Sequence, residues 1–464
     1  MRRTVFSVLL AGAGSVSANL EVDLNSRDSI KSAAKTVAFD LVSEYKGNQT
    51  GETPGILSQP PPAGDYYWWN GAVVWSTLLD YWRYTGDDTY NSLTSQAILF
   101  QRGQGDNFQP ANWTAQLGND DQAFWAHAAI SAAEYNFPSP PAGGPSWVDL
   151  AGAVFAVQNA RFDNTCNGGL RWQAPLINAG YNYKNTASNA AFLALAARLS
   201  RYTGNSTYAE AAEQTWTWLT EVGYIDDKFN VFDGAHVESN CTDINPVQFS
   251  VGAGLLLQGA AYMYNSSTGD AQTRWRNRLS PLVNRTLDQF FPDNGPFVER
   301  PCELEERVTC NRDMRFYKGI VIRQLATASE LAPFLSSAIT PKLKTSAEGA
   351  VKSCTGGESG RLCGFRWTGD DDSTTNGTAS FGFPNQANAL SALSVLLADS
   401  QKALGTGANP SSGGGNSGNG NANGNGANGN GASNNNNNGN NQSAGTSIQV
   451  MGGLLIAGLV ASLF

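Results

Sequence analysis

Two adjacent carboxylates, Asp120 and Asp121, are the residues of this sequence that most directly suggest chemistry. They lie where the segment Gly118-Asn119 meets an apolar helical run over residues 126–135. Paired carboxylic acids suit cleavage of a glycosidic bond, because one protonates the leaving oxygen while the other attacks the sugar or activates water. A bland alternative exists: Asn119 can cap a helix whose first turn favours acidic residues. On pattern alone, helix capping is the better explanation.

Neighbouring aspartates at a helix start also bear on the mechanism. A carboxyl separation of about 5 Å suits a retaining, covalent mechanism, whereas roughly 6.5–9.5 Å suits inversion. Residues that are adjacent in the chain favour the short separation and therefore retention. The helix dipole helps one carboxylate to stay ionised as a nucleophile, while burial and like-charge repulsion raise the pKa of the other so that it can act as an acid.

The rest of the chain alternates between two kinds of predicted helix, with almost no strand pattern. Six strongly apolar helices are expected to start near Asn70, Asp120, Asn185, Gln248, Arg312 and Asn385. Six amphipathic helices are expected between them, near Ile30, Thr89, Ser146, Thr207, Ala271 and Pro341. Helices that are apolar all round must be buried, and those with one apolar stripe lie outside them. Six of each predict an all-α (α/α)6 toroid, with an open α-solenoid as the alternative.

An internal repeat supports this arrangement. The segments at residues 84–90 and 202–208 share the pattern Tyr-Thr-Gly-x-x-Thr-Tyr, with a fainter copy at residues 267–270. Each predicts a glycine that ends an apolar helix and an Asx or Thr cap that starts the next one.

In such a toroid the inner helices run in one direction, so their N-terminal ends line one mouth. Candidate substrate-binding residues at that mouth are Trp69, Asn70, Trp172, Asn182, Tyr183, Asp233 and Lys318. Aromatic faces can stack on sugar rings, and polar side chains can bind the hydroxyls. Core packing or capping is the alternative for each residue taken singly. His127, seven residues after Asp120, is expected to be a structural histidine.

The two ends of the sequence differ from its middle. Residues 1–18 have the charged start, apolar run and small residues of a secretory signal peptide. Residues 19–404 form the expected helical domain, and residues 405–443 are a Gly/Asn/Ser-rich tether that cannot bury a core. Residues 444–464 are apolar and follow that spacer, as in a GPI-attachment signal that is removed. A retained membrane helix is the alternative for the last segment.

Six cysteines and several Asn-x-Ser/Thr triplets fit an exported protein. Proximity in the sequence favours Cys302–Cys310 and Cys354–Cys363, which leaves Cys166–Cys241, although six cysteines permit fifteen pairings. Candidate glycosylation sites in the domain are Asn48, Asn112, Asn205, Asn240, Asn265, Asn284 and Asn376.

Composition also excludes some classes of function. The net charge of −9 argues against nucleic-acid binding. With only two histidines and no C-x-x-C pair, neither a metal site nor a cofactor is expected. The acidic run at residues 370–372 is expected to be a solvated turn, with a calcium site as the alternative.

The segment Gly118-Asn119-Asp120-Asp121-Gln122-Ala123-Phe124-Trp125 resembles the catalytic signature of glycoside hydrolase family 76, the endo-α-1,6-mannanases. Further segments resemble the fungal GPI-anchored branch of that family, which acts in cell-wall biogenesis. They lie at residues 66–70, 80–87, 168–172, 180–185, 240–242 and 259–265. The resemblance covers about residues 20–400. Two positions depart from the family pattern, Val251-Gly252 and Arg323-Gln324, and neither touches the aspartate pair.

This resemblance implies an (α/α)6 barrel and a retaining mechanism with Asp120 as nucleophile and Asp121 as acid/base. It implies an α-1,6-mannan or GPI-glycan substrate, and for the fungal branch a transglycosidase that uses wall glucan as acceptor. We therefore expect a monomeric enzyme at the cell surface, attached to the membrane through a GPI lipid. The alternative is a carbohydrate-binding wall protein that keeps the fold but not the chemistry.

Overall fold

The computed structural model describes residues 19–303, 308–369, 381–398 and 403–407. The expected signal peptide, most of the tether, the C-terminal attachment signal, Asn376 and residues 370–372 lie outside this part of the chain. The described residues all belong to one compact unit. None of the helices found in them combines the length and apolarity needed to cross a bilayer.

Twelve α-helices dominate the described ranges. In chain order they are α1 (Arg27–Ser43), α2 (Trp68–Thr85), α3 (Asn91–Phe100), α4 (Asn119–Glu134), α5 (Trp147–Asn159), α6 (Thr186–Thr203), α7 (Ser206–Glu221), α8 (Ser250–Ser266), α9 (Gly269–Phe290), α10 (Tyr317–Leu331), α11 (Ser336–Lys352) and α12 (Phe383–Ser394). The even-numbered helices are buried almost throughout, and the odd-numbered helices bury one stripe. This burial matches the predicted alternation of inner and outer helices.

Contacts between the inner helices close into a ring. Helix α2 packs on α4, α4 on α6, α6 on α8, α8 on α10, α10 on α12, and α12 returns to α2. The outer helices α3, α5, α7, α9 and α11 pack on the inner helix that precedes each of them, and α1 packs on α12. This closed ring confirms the (α/α)6 toroid and excludes the open solenoid.

Two of the three repeated turns end their helices with a glycine, as the sequence predicts. Gly86 and Gly204 adopt the left-handed conformation, with φ of 79° and 75°, after α2 and α6. Their backbone N–H groups donate to Trp82 O and Ser200 O. Asn205 then caps α7 by accepting the N–H of Thr207 at 3.0 Å. A left-handed residue is easiest for glycine, which has no Cβ to clash.

The prediction for the third repeated turn was wrong, because α8 ends at Ser266 and Gly269 is the first residue of α9. The predicted Asx or Thr cap is also missing from α3, whose N-cap is Tyr90.

Two predicted helix starts were wrong by about one turn. Helix α10 begins at Tyr317 rather than near Arg312, because a short 3-10 turn, Met314–Phe316, precedes it. Helix α11 begins at Ser336, so Pro341 lies inside the helix rather than at its start.

The structure also contains two small antiparallel sheets that the sequence analysis did not predict. Strand β1 (Tyr183–Asn185) pairs with β2 (Gly234–His236), and β3 (Cys354–Gly356) pairs with β4 (Leu362–Cys363). In the first sheet Tyr183 lies opposite His236, and Asn185 lies opposite Gly234. This pairing brings the segments before α6 and α8 together at the mouth of the barrel.

The six cysteines form three disulfides: Cys166–Cys241, Cys302–Cys310 and Cys354–Cys363. These are the pairs that proximity in the sequence favoured. Two bridges close short loops, whereas Cys166–Cys241 spans 75 residues and joins the loop before β1 to the loop after β2.

Candidate active site

A cavity of about 320 Å³ opens where the inner helices begin. Its lining is rich in carboxylates and aromatic rings: Asp120, Asp121, Asp233 and Asp313, with Trp69, Phe124, Trp172, Tyr183, Phe232, Phe249 and Tyr317. Among the described residues, no lysine, arginine or histidine lines this cavity. The site therefore presents negative charge and flat apolar faces.

Asp120 is held by the first turn of α4 and by the segment before α6. Its Oδ1 accepts the backbone N–H of Asp121 at 3.0 Å, and its Oδ2 accepts Asn185 Nδ2 at 3.3 Å. Burial raises the pKa of Asp120 to about 6, helped by the charge of Asp233, while these hydrogen bonds oppose the increase. The donors favour the ionised form, which is the form that a nucleophile needs.

Asp121 lies beside it in the same turn. One oxygen, Oδ2, accepts the backbone N–H of Gly118 at 3.0 Å. Burial raises the pKa of Asp121 well above its usual value, and the charges of Asp120 and Asp313 raise it further. The hydrogen bond from Gly118 opposes this increase. Burial acts on both carboxyl groups, but the neighbouring charges make Asp121 the one whose protonated form is favoured more.

Asp233 faces the cavity from the segment before β2. Its Oδ2 accepts the hydroxyl of Tyr183 at 2.7 Å and Asn245 Nδ2 at 3.1 Å. Burial raises the pKa of Asp233, and both hydrogen bonds oppose the increase. The structure thus brings the predicted residues Tyr183 and Asp233 into direct contact at the cavity wall.

A fourth carboxylate, Asp313, comes from the segment before α10. Its Oδ1 accepts Asn70 Nδ2 at 3.1 Å, and Trp69 also hydrogen-bonds to it. Burial raises the pKa of Asp313 to about 6 against the effect of these donors. Asn70 is fully buried and is absent from the cavity lining, so its place is beneath Asp313 rather than against a substrate.

Two tryptophans form aromatic parts of the wall. The ring centroid of Trp69 lies 5.0 Å from that of Phe124 and 6.4 Å from that of Tyr317. Trp172 keeps more than a third of its surface exposed. A Cβ at Gly180 would lie 2.3 Å from the Trp172 ring, so glycine allows the loop to pack on it. Both rings can offer a face to a sugar.

Besides Asn70, two of the predicted binding residues do not line the cavity. Asn182 donates to Glu238 Oε1 at 2.9 Å on the surface and is not part of the lining. Lys318 has 0% of its side chain exposed, and its Nζ donates to Glu303 Oε1 at 2.7 Å and to Phe365 O at 2.8 Å. The prediction for Lys318 was wrong, because this buried pairing keeps the amine out of reach of a substrate.

His127 is structural, as expected. It is buried, its Nε2 lies 3.0 Å from Ala191 O, and Arg198 Nη1 lies 3.2 Å from its Nδ1. Burial and the neighbouring arginine lower its pKa to about 3. A neutral histidine in the barrel interior has no part in proton transfer at the cavity.

Three residues that line the cavity were not among the predicted site residues: Asp313, Asn185 and Phe124. A signal existed for the first two, since polar residues just before inner helices are the ones that reach the mouth. Phe124 lies in the segment that carries the family resemblance, but nothing in its type separates a cavity wall from a core residue.

The family model of glycosyl hydrolase family 76 matches residues 29–408. The chain belongs to glycoside hydrolase family 76. The protein is therefore a glycoside hydrolase, and the cavity that contains Asp120 and Asp121 is its candidate active site.

Two curated relatives come from Saccharomyces cerevisiae. Mannan endo-1,6-alpha-mannosidase DFG5 is 40% identical over 381 residues, covering 82% of this chain and 80% of that protein. Mannan endo-1,6-alpha-mannosidase DCW1 is 39% identical over 403 residues, covering 86% of this chain and 85% of that protein.

Solved structures agree on the fold. Dfg5 from Chaetomium thermophilum, in complex with glucosamine, is 46% identical with a TM-score of 0.79, covering 83% of this chain and 94% of that chain. An inactive α-1,6-mannanase variant from Salegentibacter, with two consecutive aspartates replaced by asparagine, holds α-1,6-mannotriose. It is 14% identical with a TM-score of 0.62, covering 79% of this chain and 99% of that chain, and therefore shows the fold alone.

Proposed function

We propose that this hydrolase is a retaining endo-α-1,6-mannosidase or transglycosidase with Asp120 as nucleophile and Asp121 as general acid/base. The observation that carries the proposal is the unequal setting of the two carboxyl groups. Burial raises the pKa of both groups, but Asp120 accepts two hydrogen bonds that favour its anion. Asp121 accepts one, and the charges of Asp120 and Asp313 raise its pKa further. Enzymes of this class divide nucleophile and acid roles between carboxyl groups in such different surroundings.

These two carboxyl groups are sufficient for both steps of glycosidic bond cleavage. Asp120 attacks the anomeric carbon as the glycosidic C–O bond breaks, and Asp121 gives its proton to the leaving oxygen. The glycosyl ester on Asp120 is then released by attack of water or of a sugar hydroxyl, whose proton returns to Asp121. Water gives hydrolysis, and a sugar hydroxyl gives transfer to an acceptor.

An α-1,6-mannoside or a GPI-anchor glycan is the proposed substrate. The curated relatives at about 40% identity are named mannan endo-1,6-alpha-mannosidases. A cavity that presents four carboxylates and no basic side chain among the described residues also suits a neutral or amine-bearing glycan. The glucosamine bound to the Chaetomium relative is an amino sugar of this kind.

The proposed site of action is the outer cell surface, in cell-wall biogenesis. The sequence supports this with its expected signal peptide at residues 1–18 and its expected attachment signal at residues 444–464. Six of the predicted glycosylation sites lie at exposed positions: Asn48, Asn112, Asn205, Asn240, Asn265 and Asn284. Three disulfides suit an oxidising compartment. Wall glucan is the proposed acceptor if the enzyme transfers.

The test uses an α-1,6-mannooligosaccharide with a surplus of glucan acceptor, and mass spectrometry to size the products. Matched variants are Asp120→Asn and Asp121→Asn, which keep the shape of each side chain. Hybrid or longer products that disappear in both variants would establish transfer through a covalent intermediate. Shorter products alone would establish a mannanase. Binding without turnover, unchanged in both variants, would leave a carbohydrate-binding wall protein instead.

A further inference from the structure

The mouth of the barrel exposes apolar side chains. Of the seven large hydrophobic residues that are most exposed in the described part of the chain, five lie in segments that precede inner helices: Tyr67, Trp172, Leu176, Ile177 and Val247. The other two, Phe39 and Phe100, lie on the outer helices α1 and α3. Trp172 lines the cavity, and the other four lie in loops at the same end of the barrel. Exposed apolar groups that share one end of a molecule in this way indicate an interaction surface.

Leu176 and Ile177 are the extreme case, with 74% and 90% of their surfaces exposed. They occupy the two central positions of a turn in which Asn178 N donates to Pro175 O at 3.1 Å. Turn centres normally carry Gly, Asn, Asp or Ser, which can hydrogen-bond to water or adopt unusual backbone angles. Two aliphatic side chains at the tip of such a turn bury little of their apolar surface and therefore contribute little to the stability of the fold.

The loop that carries this tip is firmly attached to the active site. At its start, Trp172 N donates to Tyr183 O at 2.7 Å, and Ala174 N donates to Leu117 O at 2.9 Å. Near its end, Asn178 Nδ2 donates to Gln173 Oε1 at 3.0 Å. These hydrogen bonds attach the loop to the segments that line the cavity, so the tip is held at a fixed position beside it.

Charge distinguishes the partners that could cover this tip. Residues 172–180 contain no charged residue, and the chain as a whole carries a net charge of −9. This loop therefore offers no positive charge to an anionic surface, and burial of its apolar side chains is the driving force that it can supply. A partner must also leave the cavity usable, because Trp172 belongs both to this exposed set and to the cavity lining.

We propose that the apolar rim, Tyr67, Trp172, Leu176, Ile177 and Val247, docks on a lipid surface from which the glycan substrate projects, with Leu176 and Ile177 inserted at the interface. This inference rests on the proposed function, since it takes the substrate to be a lipid-linked glycan. A bilayer that bears such glycans satisfies both constraints, because it buries the rim while its own glycan fills the cavity. The rim then selects membrane-presented substrate over the same glycan in solution.

The direct test places an environment-sensitive fluorophore at the tip. Ile177→Cys, labelled with a nitrobenzoxadiazole dye, is prepared in a form that comprises residues 19–407 and mixed with vesicles of dioleoylphosphatidylcholine. Insertion predicts a blue shift and a severalfold rise in emission. The matched control is Ser206→Cys with the same label, because Ser206 is exposed at the start of α7, on the opposite end of the barrel. It should not respond.

A second test measures turnover on two presentations of one substrate. The double variant Leu176→Ser/Ile177→Ser changes side chains that do not line the cavity. We expect its kcat/KM on a soluble α-1,6-mannooligosaccharide to match the parent, and its kcat/KM on a lipid-linked α-1,6-mannoside in the same vesicles to fall about tenfold.

Three outcomes would overturn the lipid proposal and leave the proposed function intact. The first is an unchanged label at residue 177 in the presence of vesicles. The second is equal loss of activity on both substrates, which would make the tip part of the glycan site. The third is a vesicle-independent emission change that grows with protein concentration, which would assign the rim to a second copy of this chain. If the parent enzyme turned over neither substrate, that result would instead count against the proposed function.

Discussion

The side-chain amide of Asn185 donates a hydrogen bond to Asp120 Oδ2 at 3.3 Å, while its own oxygen accepts the backbone N–H of Ser188 at 3.1 Å. One residue thus caps helix α6 and orients the proposed nucleophile on α4. The position of Asp120 relative to a sugar therefore depends on the packing of two neighbouring inner helices.

Asn185→Ser separates these two roles, because serine is also a good N-cap but has no amide to reach Asp120. A hydrogen bond to a charged group contributes about 1.5–3 kcal/mol, so kcat should fall roughly tenfold to a hundredfold. The bond to Asn185 holds the pKa of Asp120 down, so its loss should move the acid limb of the kcat/KM profile to higher pH. An unchanged acid limb with intact thermal stability would contradict this role for Asn185.

The charge of Asp313 should be visible in the other limb of the pH profile. That charge raises the pKa of Asp121, which must be protonated to act as the acid. Asp313→Asn removes the charge and keeps an oxygen for the Asn70 amide, so the pKa of Asp121 should fall. The basic limb of the profile, along which activity falls as pH rises, should therefore move to lower pH. The effect requires ionised Asp313 in the parent enzyme and so should be clearest above pH about 6.

The matched control for this prediction is Asp288→Asn, which removes one negative charge from an exposed position on α9. The measurement is kcat/KM from pH 4 to about 9. Removal of an exposed surface charge should leave the protonation of the site unaltered, because salt screens exposed charges. A basic limb that stays in place in Asp313→Asn, or moves equally in the control, would show that Asp313 does not tune the acid.

Much of the fold was predictable because burial imposes a pattern on the sequence. Helix α6, with its run of alanines and leucines from Ala190 to Leu199, must be buried all round, and this is sufficient to place it in the inner ring. The caps at Gly86 and Gly204 follow equally from local chemistry. The three-residue strands β1 and β2 were not predictable, because so short a pairing depends on two loops that only the closed barrel brings together.

The active site was predictable in part for the same reason. Asp120 and Asp121 could be predicted because they are adjacent acidic residues at a helix start. Tyr183 and Asp233 could be predicted because they lie in segments that precede inner helices. Lys318 also lies near the start of an inner helix, as the second residue of α10. Its side chain nevertheless turns into the core toward Glu303. Which way a side chain leaves the first turn is decided by tertiary partners, and no local pattern encodes them.

Lys318 itself leads to a prediction about stability. Lys318→Met would leave Glu303 buried without its partner, and removal of one member of a buried ion pair costs about 3–5 kcal/mol. The free energy of unfolding, measured by urea denaturation, should fall by that amount while KM of the remaining folded enzyme stays the same. The exposed Lys344→Met should change stability by no more than about 0.5 kcal/mol. A raised KM without loss of stability would return Lys318 to the substrate site.

The Cys166–Cys241 disulfide should matter more to stability than either of the short bridges. Its loop spans 75 residues, against 8 for Cys302–Cys310. The loop-entropy relation gives about 4.5 kcal/mol for the long loop and about 2.5 kcal/mol for the short one. We therefore expect Cys166→Ala/Cys241→Ala to lower the urea midpoint more than Cys302→Ala/Cys310→Ala does. Equal losses would mean that the unfolded chain already keeps residues 166 and 241 close together, so that the bridge removes little entropy from it.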